Sequence, residues 1–562
     1  MQPLIECVPN FSEGRNMAVI KQITDAIESV RNITLLNVDP GDSTNRTVVT
    51  FVGPPEAVCE AAFRAGETAS RVIDMRVHKG EHPRFGAMDV CPLIPIAGIT
   101  MEETVTYARK LAKRLGEELG IHVYCYEYAA QIEKRKNLAY CRAGEYEGLK
   151  DKIAAPEGKP DFGPTELNAK TGATAVGARD FLVAYNVNLN TTSVRRANAI
   201  AFDVREKGRV KRQGNTLTGE IIRDKDGNPV MQPGTLKSVK AIGWFIEEYG
   251  VAQISMNLTN LNDTPVHMAF DEVCAKALAR GIRVTGSELV GLIPLKAMLD
   301  AGRYFLHKQQ RSTGIADSEL IKIAVKSLGL DELRPFAPDE KIIEYAMLKG
   351  QKGNRLIDLS LEKFTHLTAS EAPAPGGGSV AAAMGALGAA LGAMVANLSA
   401  HKRGWDDRWR EFSDWAEQAK SAHDALLALV DEDTKAFNSL MAAFGLPKKT
   451  EQDKAVRTQA IQEATRRAME VPLLVMQNAA GVMPVIKAMA ETGNPNSVSD
   501  AGVAALAARS AVMGAWLNVK INSSGYKDKD YVNNILTQCD ELVDKANSME
   551  YEIIEIVASK IK

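Results

Sequence analysis

The chain has 562 residues, room for three to four domains at roughly 150 residues each, and its 68 Lys and Arg against 70 Asp and Glu leave a net charge of −2. That balance argues against nonspecific nucleic-acid binding, and 45% hydrophobic with 25% charged residues is the mix of a soluble globular protein. Seven scattered cysteines without a CxxC pair argue against a zinc ribbon or a thioredoxin-type site and for a reduced, cytoplasmic protein; the opening MQPLIECVPNFSEG has neither the basic stretch nor the apolar run of a secretory signal.

The first half alternates strands with helices. Residues 4–8 read as a strand and 16–30 as a helix, because Val19, Ile20, Ile23 and Ile27 recur at helical spacing. Strands are predicted at 33–38 and 47–52, around the polar loop DPGDSTNR. Pro54-Pro55 opens a helix. EETVTYARKLAKRLGEELG is the next helix, stopped by Gly120, and 122–126 returns to strand. A weak internal repeat relates IECVPNFSEGRNMAVIKQITDAI to FLVAYNVNLNTTSVRRANAIAFDV. It predicts two related α/β subdomains, 1–181 and 182–338, facing each other across a ligand cleft. Residues 214–234 read as an inserted hairpin turning at Asp226-Gly227.

The character changes near residue 340. Residues 339–358 read as a linker, with the glycine-bearing KGQKGN at 349–354. From Ser360 onward no strand is predicted. Helical patterns cover 378–400, 405–443, 451–490, 498–522 and 528–560, so 359–562 reads as a helical bundle. The stretch 380–396 superficially resembles a membrane span, but it is built of Ala, Gly and Met and is short for one. It reads as a tightly packed helix, with no membrane association. The fold class is multidomain α+β: a two-subdomain α/β module followed by an all-α bundle.

Several polar clusters carry possible chemistry. RVHKGEHPRFGAMDV places His78, Lys79, Glu81, His82, Arg84 and Asp89 together in a chain with only eight histidines. Loop histidines suit proton transfer near neutral pH; a solvated polar loop is the plain alternative. His78 and His82 have no third partner at metal-ligand spacing, so no metal is expected. Asp39 or Asp42 in DPGDSTNR can orient a histidine or merely form an Asx turn. In DFGPTELNAKTGATAVGAR, Gly172 and Gly177 have P-loop spacing, but Ala178-Arg179 stands where Lys-Ser/Thr would have to be, which rejects triphosphate binding. PAPGGGSVAAA opens a helix with Gly376, Gly377, Gly378 and Ser379, whose free N–H groups can hold an anion. In LVDEDTKAFNSL, Asp433 shares a face with Leu429, Ala436 and Phe437, and an aspartate there is costly unless paired, whereas Asp431 and Glu432 read as solvated. Ser499 or Asp500 reads as a helix N-cap, and Trp405, Trp409 and Trp415 as packing residues.

Taken together, ECVPNFSEG, STNRTVVTFVGPPE, RVHKGEHPRFGAMDVCP, DFGPTELNAKTGAT, VGLIPLKAMLDA, PAPGGGSVAAA and DEDTKAF make the chain resemble the bifunctional formimidoyltransferase-cyclodeaminase family over essentially its whole length. The resemblance implies transfer of a formimidoyl group between N-formimidoyl-L-glutamate and tetrahydrofolate. It then implies cyclisation of 5-formimidoyltetrahydrofolate to 5,10-methenyltetrahydrofolate with loss of ammonia, in histidine degradation. It implies His82 as the transferase acid–base, Asp39 holding its ring, and Asp433 as the catalytic aspartate of the second reaction. Gly163, Pro164, Thr165, Glu166, Leu167, Asn168, Ala169, Lys170, Thr171 and Gly172 become the folate-binding stretch, with a further folate contact at Gly376, Gly377, Gly378 and Ser379. The same resemblance implies polyglutamylated tetrahydrofolate as co-substrate and a ring-shaped octamer. The alternatives for the helical half are an oligomerisation scaffold and a methenyltetrahydrofolate cyclohydrolase.

Overall fold

The computed structural model describes residues 3–42, 44–80, 83–214, 218–348 and 355–561. It divides into two compact units, Met1–Met298 with Val325–Lys349, and Leu299–Ala324 with Gly350–Lys562. The segment Leu299–Ala324, expected within the second α/β subdomain, thus groups with the helices. Its hydrogen bonds explain why: Asn397 Nδ2 donates to Gly314 O (2.8 Å), Thr313 N–H donates to Ser413 Oγ (3.1 Å), and Lys420 pairs with Asp317 (2.7 Å). The expected linker residues 349–354 lie outside the described residues.

In the first unit, β1 (Leu4–Cys7), β2 (Asn10–Phe11), β3 (Thr34–Gly41), β4 (Arg46–Gly53), β5 (Met88–Ala97), β6 (His122–Glu127) and β7 (Ala173–Ala178) form a seven-stranded sheet. β1 and β2 each pair antiparallel with both β4 and β5, so they act as one interrupted strand. β3 extends the sheet beyond β4, and β5, β7 and β6 run parallel to one another. Because β3 continues to Gly41, Asp39 lies on a strand opposite Val48; the predicted loop begins later than expected. Helices Met17–Glu28, Pro55–Val72 and Met101–Leu119 cover one face, where Ile23, Ile27, Val58, Leu111 and Leu115 pack with Ile5, Phe51, Leu93 and Val123. The third of these helices starts in a Thr100–Glu103 capping box and stops at Gly120. All seven cysteines are free.

A second, antiparallel sheet has β8 (Val183–Leu189), β11 (Val239–Ile246), β12 (Val251–Leu258) and β13 (Val284–Val290) in the order β11-β12-β8-β13. Between its first two strands, β9 (Arg209–Val210) and β10 (Met231–Gln232) frame the inserted segment, which turns at 224–228. Residues 215–217 of that insertion lie outside the described residues.

The second unit has five long helices, Gly377–Ala400, Trp409–Phe444, Glu451–Thr492, Val498–Ser523 and Lys529–Lys560, and no strand among its described residues. Ala382, Ala386, Ala389, Ala504, Ala508 and Ala511 are almost completely buried, and such small side chains let neighbouring helices approach closely. Three segments, Gly377–Ala400, Glu451–Thr492 and Pro495–Ser523, have the length and hydropathy of a membrane span; 61%, 61% and 44% of those windows are buried within the fold. Trp405 stacks on Phe412 with 5.5 Å between ring centroids, and Trp415 packs on the core. The expected N-cap is corrected. A Pro495–Ser497 turn, capped by Asn494, leads directly into the helix at Val498, so Ser499 and Asp500 lie within its first turn.

Candidate active sites

The polar segments of the α/β unit meet beside β2 and β4. Ser12 Oγ donates to Gly86 O (2.8 Å), Gly14 N–H to Asn45 Oδ1 (3.0 Å), and Asn45 Nδ2 to Lys79 O (2.8 Å). Asn45 has φ +47°, a left-handed conformation that asparagine tolerates. It thereby ties VPNFSEG and STNR to the histidine-bearing loop. His78 Nε2 lies 2.9 Å from Asn45 O, which assigns the proton to that nitrogen. Its Nδ1 is buried without a partner, and burial lowers the ring's pKa. His78 is therefore a neutral imidazole committed to the backbone. Glu81 and His82 lie outside the described residues. Asp39 is half-buried on β3, while Asp42 is exposed and 3.4 Å from Arg15.

Asp89, 1% exposed, opens into a pair of guanidinium groups: Arg46 and Arg142 each lie 2.9 Å from Oδ2. Arg46 also donates to Asn10 Oδ1 (3.0 Å), and Arg142 to Pro83 O. Neither Asn10 nor Arg142 was a sequence candidate. The GEYEG turn around Arg142 gave no sign that its charge is turned inward.

The 163–172 segment is stitched to the residues that follow His82. Ala87 N–H donates to Thr171 O (2.8 Å), Ala173 N–H to Phe85 O (3.0 Å), and Gly86 bridges Gly172. Tyr146 Oη donates to Ala169 O (2.6 Å), and Met75 N–H to Lys170 O (2.9 Å). Gly163 has φ +99°, and a Cβ there would stand 2.1 Å from Ile121 O, so the segment enters through a turn that only glycine allows. Thr165, Glu166 and Leu167 form an exposed tip. Two stretches separated by about 80 residues of sequence thus form one surface.

In the helical unit the Gly376–Ser379 turn meets Asp433. Ser379 Oγ lies 3.0 Å from Asp433 Oδ2 and 2.9 Å from Val430 O, with Thr434 Oγ1 at 3.2 Å. The Ser379 backbone N–H also donates to the Asp433 carboxyl. A Cβ on Gly378 would stand 2.1 Å from Asp433 Oδ1, so this position must be glycine for the carboxyl to approach the helix start. Burial raises the Asp433 pKa, and the Ser379 hydrogen bonds partly offset the rise. Asn518 reaches the same turn from the Val498–Ser523 helix, its Nδ2 3.4 Å from where a Gly377 Cβ would be; the sequence had not marked it.

Asp431 is a correction: it is buried, not solvated. Its Oδ1 accepts from Leu356 N–H (2.6 Å), and its Oδ2 is buried without a hydrogen bond. The helical periodicity could not register the turn Leu356–Asp358 that covers it. Glu432 stays partly exposed, paired with Lys435 and Arg467. Among the described residues no group of three or more His, Cys, Asp or Glu is arranged to hold a metal ion.

Three family models match in chain order: a formiminotransferase domain, N-terminal subdomain, over residues 4–179; a formiminotransferase domain over 184–348; and formiminotransferase-cyclodeaminase over 360–541. The formimidoyltransferase-cyclodeaminase of Rattus norvegicus is 42% identical over 548 residues, 98% of this chain and 97% of the rat protein. The glutamate formimidoyltransferase of Thermoplasma acidophilum is 43% identical over 305 residues, 54% of this chain and 92% of its own length. The methenyltetrahydrofolate cyclohydrolase of Methylorubrum extorquens is 37% identical over 202 residues, 36% of this chain and 97% of its own length. The chain belongs to the formimidoyltransferase-cyclodeaminase family.

Removing Asp89 leaves two inward-turned guanidinium groups facing each other without their shared counter-charge. Asp89→Ala is expected to destabilise the α/β unit by about 3–5 kcal/mol, read as a lowered thermal midpoint. An unchanged midpoint would mean that the cluster is already hydrated.

Proposed function

We propose that this chain carries out two consecutive reactions on one folate. It transfers the formimidoyl group between N-formimidoyl-L-glutamate and tetrahydrofolate. It then cyclises 5-formimidoyltetrahydrofolate to 5,10-methenyltetrahydrofolate and releases ammonia, in histidine degradation to glutamate. The observation that carries this reading is 42% identity across 98% of the chain to a protein of that name.

In the first reaction a folate nitrogen attacks the amidine carbon and must lose a proton. His82 accepts that proton as a neutral imidazole and returns it to the departing glutamate nitrogen. Asp39 orients the His82 ring, and the 163–172 segment binds folate. The hydrogen bonds from Ala87 N–H to Thr171 O and from Ala173 N–H to Phe85 O support this assignment, because they tie the segment after His82 to the proposed folate loop. In the second reaction N10 attacks the formimidoyl carbon and ammonia leaves with a proton. Asp433, its proton affinity raised by burial, takes the N10 proton and delivers one to the leaving nitrogen. Gly376, Gly377, Gly378 and Ser379 place backbone N–H donors beside it.

A half-buried carboxyl at a helix start is an expensive feature for a pure scaffold, which favours a catalytic helical half. Ammonia release from supplied 5-formimidoyltetrahydrofolate separates the deaminase from a cyclohydrolase. The reading extends to a cytoplasmic homo-oligomer, a ring-shaped octamer using polyglutamylated folate.

His82→Ala is expected to lower transferase turnover by about 10²–10⁴-fold while sparing methenyl formation from supplied intermediate; Asp433→Asn does the reverse. Equal loss of both activities in either variant would refute separate sites. Asp433→Asn should also leave the thermal midpoint at neutral pH unchanged or higher, because a raised carboxyl pKa in the folded state means that ionisation opposes folding as pH rises. Ser379→Ala removes the hydroxyl hydrogen bond that favours the carboxylate and keeps the backbone one, so the acid limb of the cyclodeaminase pH–rate profile should move up by ~1 pH unit. A limb that stays put would remove Asp433 as the group that titrates.

A further inference from the structure

His122 opens β6 with a completely buried ring. Its Nδ1 lies 2.8 Å from Pro164 O, and its Nε2 lies 2.9 Å from Asn168 N. The carbonyl can only accept and the amide N–H can only donate. Nδ1 therefore carries the proton and Nε2 offers its lone pair, which fixes one neutral tautomer. An imidazolium would set a second N–H against the Asn168 N–H. The ring thus bridges the two ends of the turn whose exposed tip is Thr165, Glu166 and Leu167. Asn168 extends the clamp, its Nδ2 donating to Gly120 O (3.2 Å) and its carbonyl accepting from Gly172 N–H (2.9 Å). Both ring nitrogens are committed to the backbone, so the ring has no free atom for proton transfer.

We propose that His122 is a positioning residue for tetrahydrofolate in the transferase reaction, holding the 163–172 segment in its folate-binding shape without touching the reacting atoms. This inference rests on the assignment of that segment to folate. A buried backbone donor and acceptor that lose their partner favour any conformation that rehydrates them, so the segment would open when the ring is replaced by hydrocarbon. A glutamine keeps an acceptor near the Nε2 position and retains part of the clamp.

The test uses the full-length chain with His122→Leu and His122→Gln. In His122→Leu the KM for tetrahydrofolate in the transferase assay is expected to rise about tenfold or more. The rise should be smaller in His122→Gln. The KM for N-formimidoyl-L-glutamate, the transferase kcat and the cyclodeaminase rate on supplied intermediate should stay within about twofold, a selectivity that general loss of structure does not give. Hydrogen exchange on the unsubstituted protein adds an independent readout: tetrahydrofolate should protect the amides of 165–169. Absence of that protection would overturn the folate assignment, and the proposal with it. Protection together with an unchanged folate KM in His122→Leu would overturn the positioning role and leave the assignment standing. If His122→Leu fails to fold, His122→Gln decides on the same two criteria.

Discussion

A carboxylate taken out of water needs donors around it or must hold its proton more tightly, and two aspartates of this chain meet that constraint in opposite ways. Asp89 is nearly inaccessible and is flanked by Arg46 and Arg142, so its charge is matched and its position fixed. Among the described residues Asp433 has no cation partner; it has one serine, through its N–H and its hydroxyl, at the first turn of a helix. That lighter support leaves burial as the dominant influence on its proton affinity. The same residue type is thus a charge-paired keystone in one unit and a lightly supported, half-buried carboxyl in the other.

The two histidines that the structure describes in the α/β site divide along similar lines. His78 through Nε2 and His122 through both ring nitrogens are tied to backbone groups, and burial lowers the pKa of each ring. Each fixes a segment: His78 joins its loop to Asn45, and His122 joins β6 to the 163–172 turn. Imidazoles tied down in this way are poor proton shuttles.

The gross architecture was legible because it is written in local periodicity. The five long helices begin and end within a few residues of their expected bounds, since helical periodicity is a local signal, reinforced for two of them by the side-chain caps Thr450 and Asp528. Asp433 was legible for the same reason: one helical face carries it among apolar neighbours. Asp431 was misread because the element that buries it, the turn at Leu356–Asp358, lies 75 residues earlier. Arg142 and His122 were missed for a related reason. Their significance resides in partners 42 to 59 residues away, and no spacing rule reaches that far. Asp39 was placed in a loop because Pro40-Gly41 signals a turn, whereas pairing with Arg46–Gly53 carries the strand through those residues.

The inserted segment between β9 and β10 has a different character from either site. At its turn Asp224 accepts the Asp226 and Asn228 amides through one carboxyl oxygen, and Arg223 reaches the Gly227 carbonyl. Residues 223–229 are all exposed, so this loop is stapled to itself and owes little to the sheet beneath. A fluorescent module or an affinity handle spliced at Asp226-Gly227 would therefore ride on the enzyme as a passenger, giving a reporter of its whereabouts that leaves both halves of the chain undisturbed.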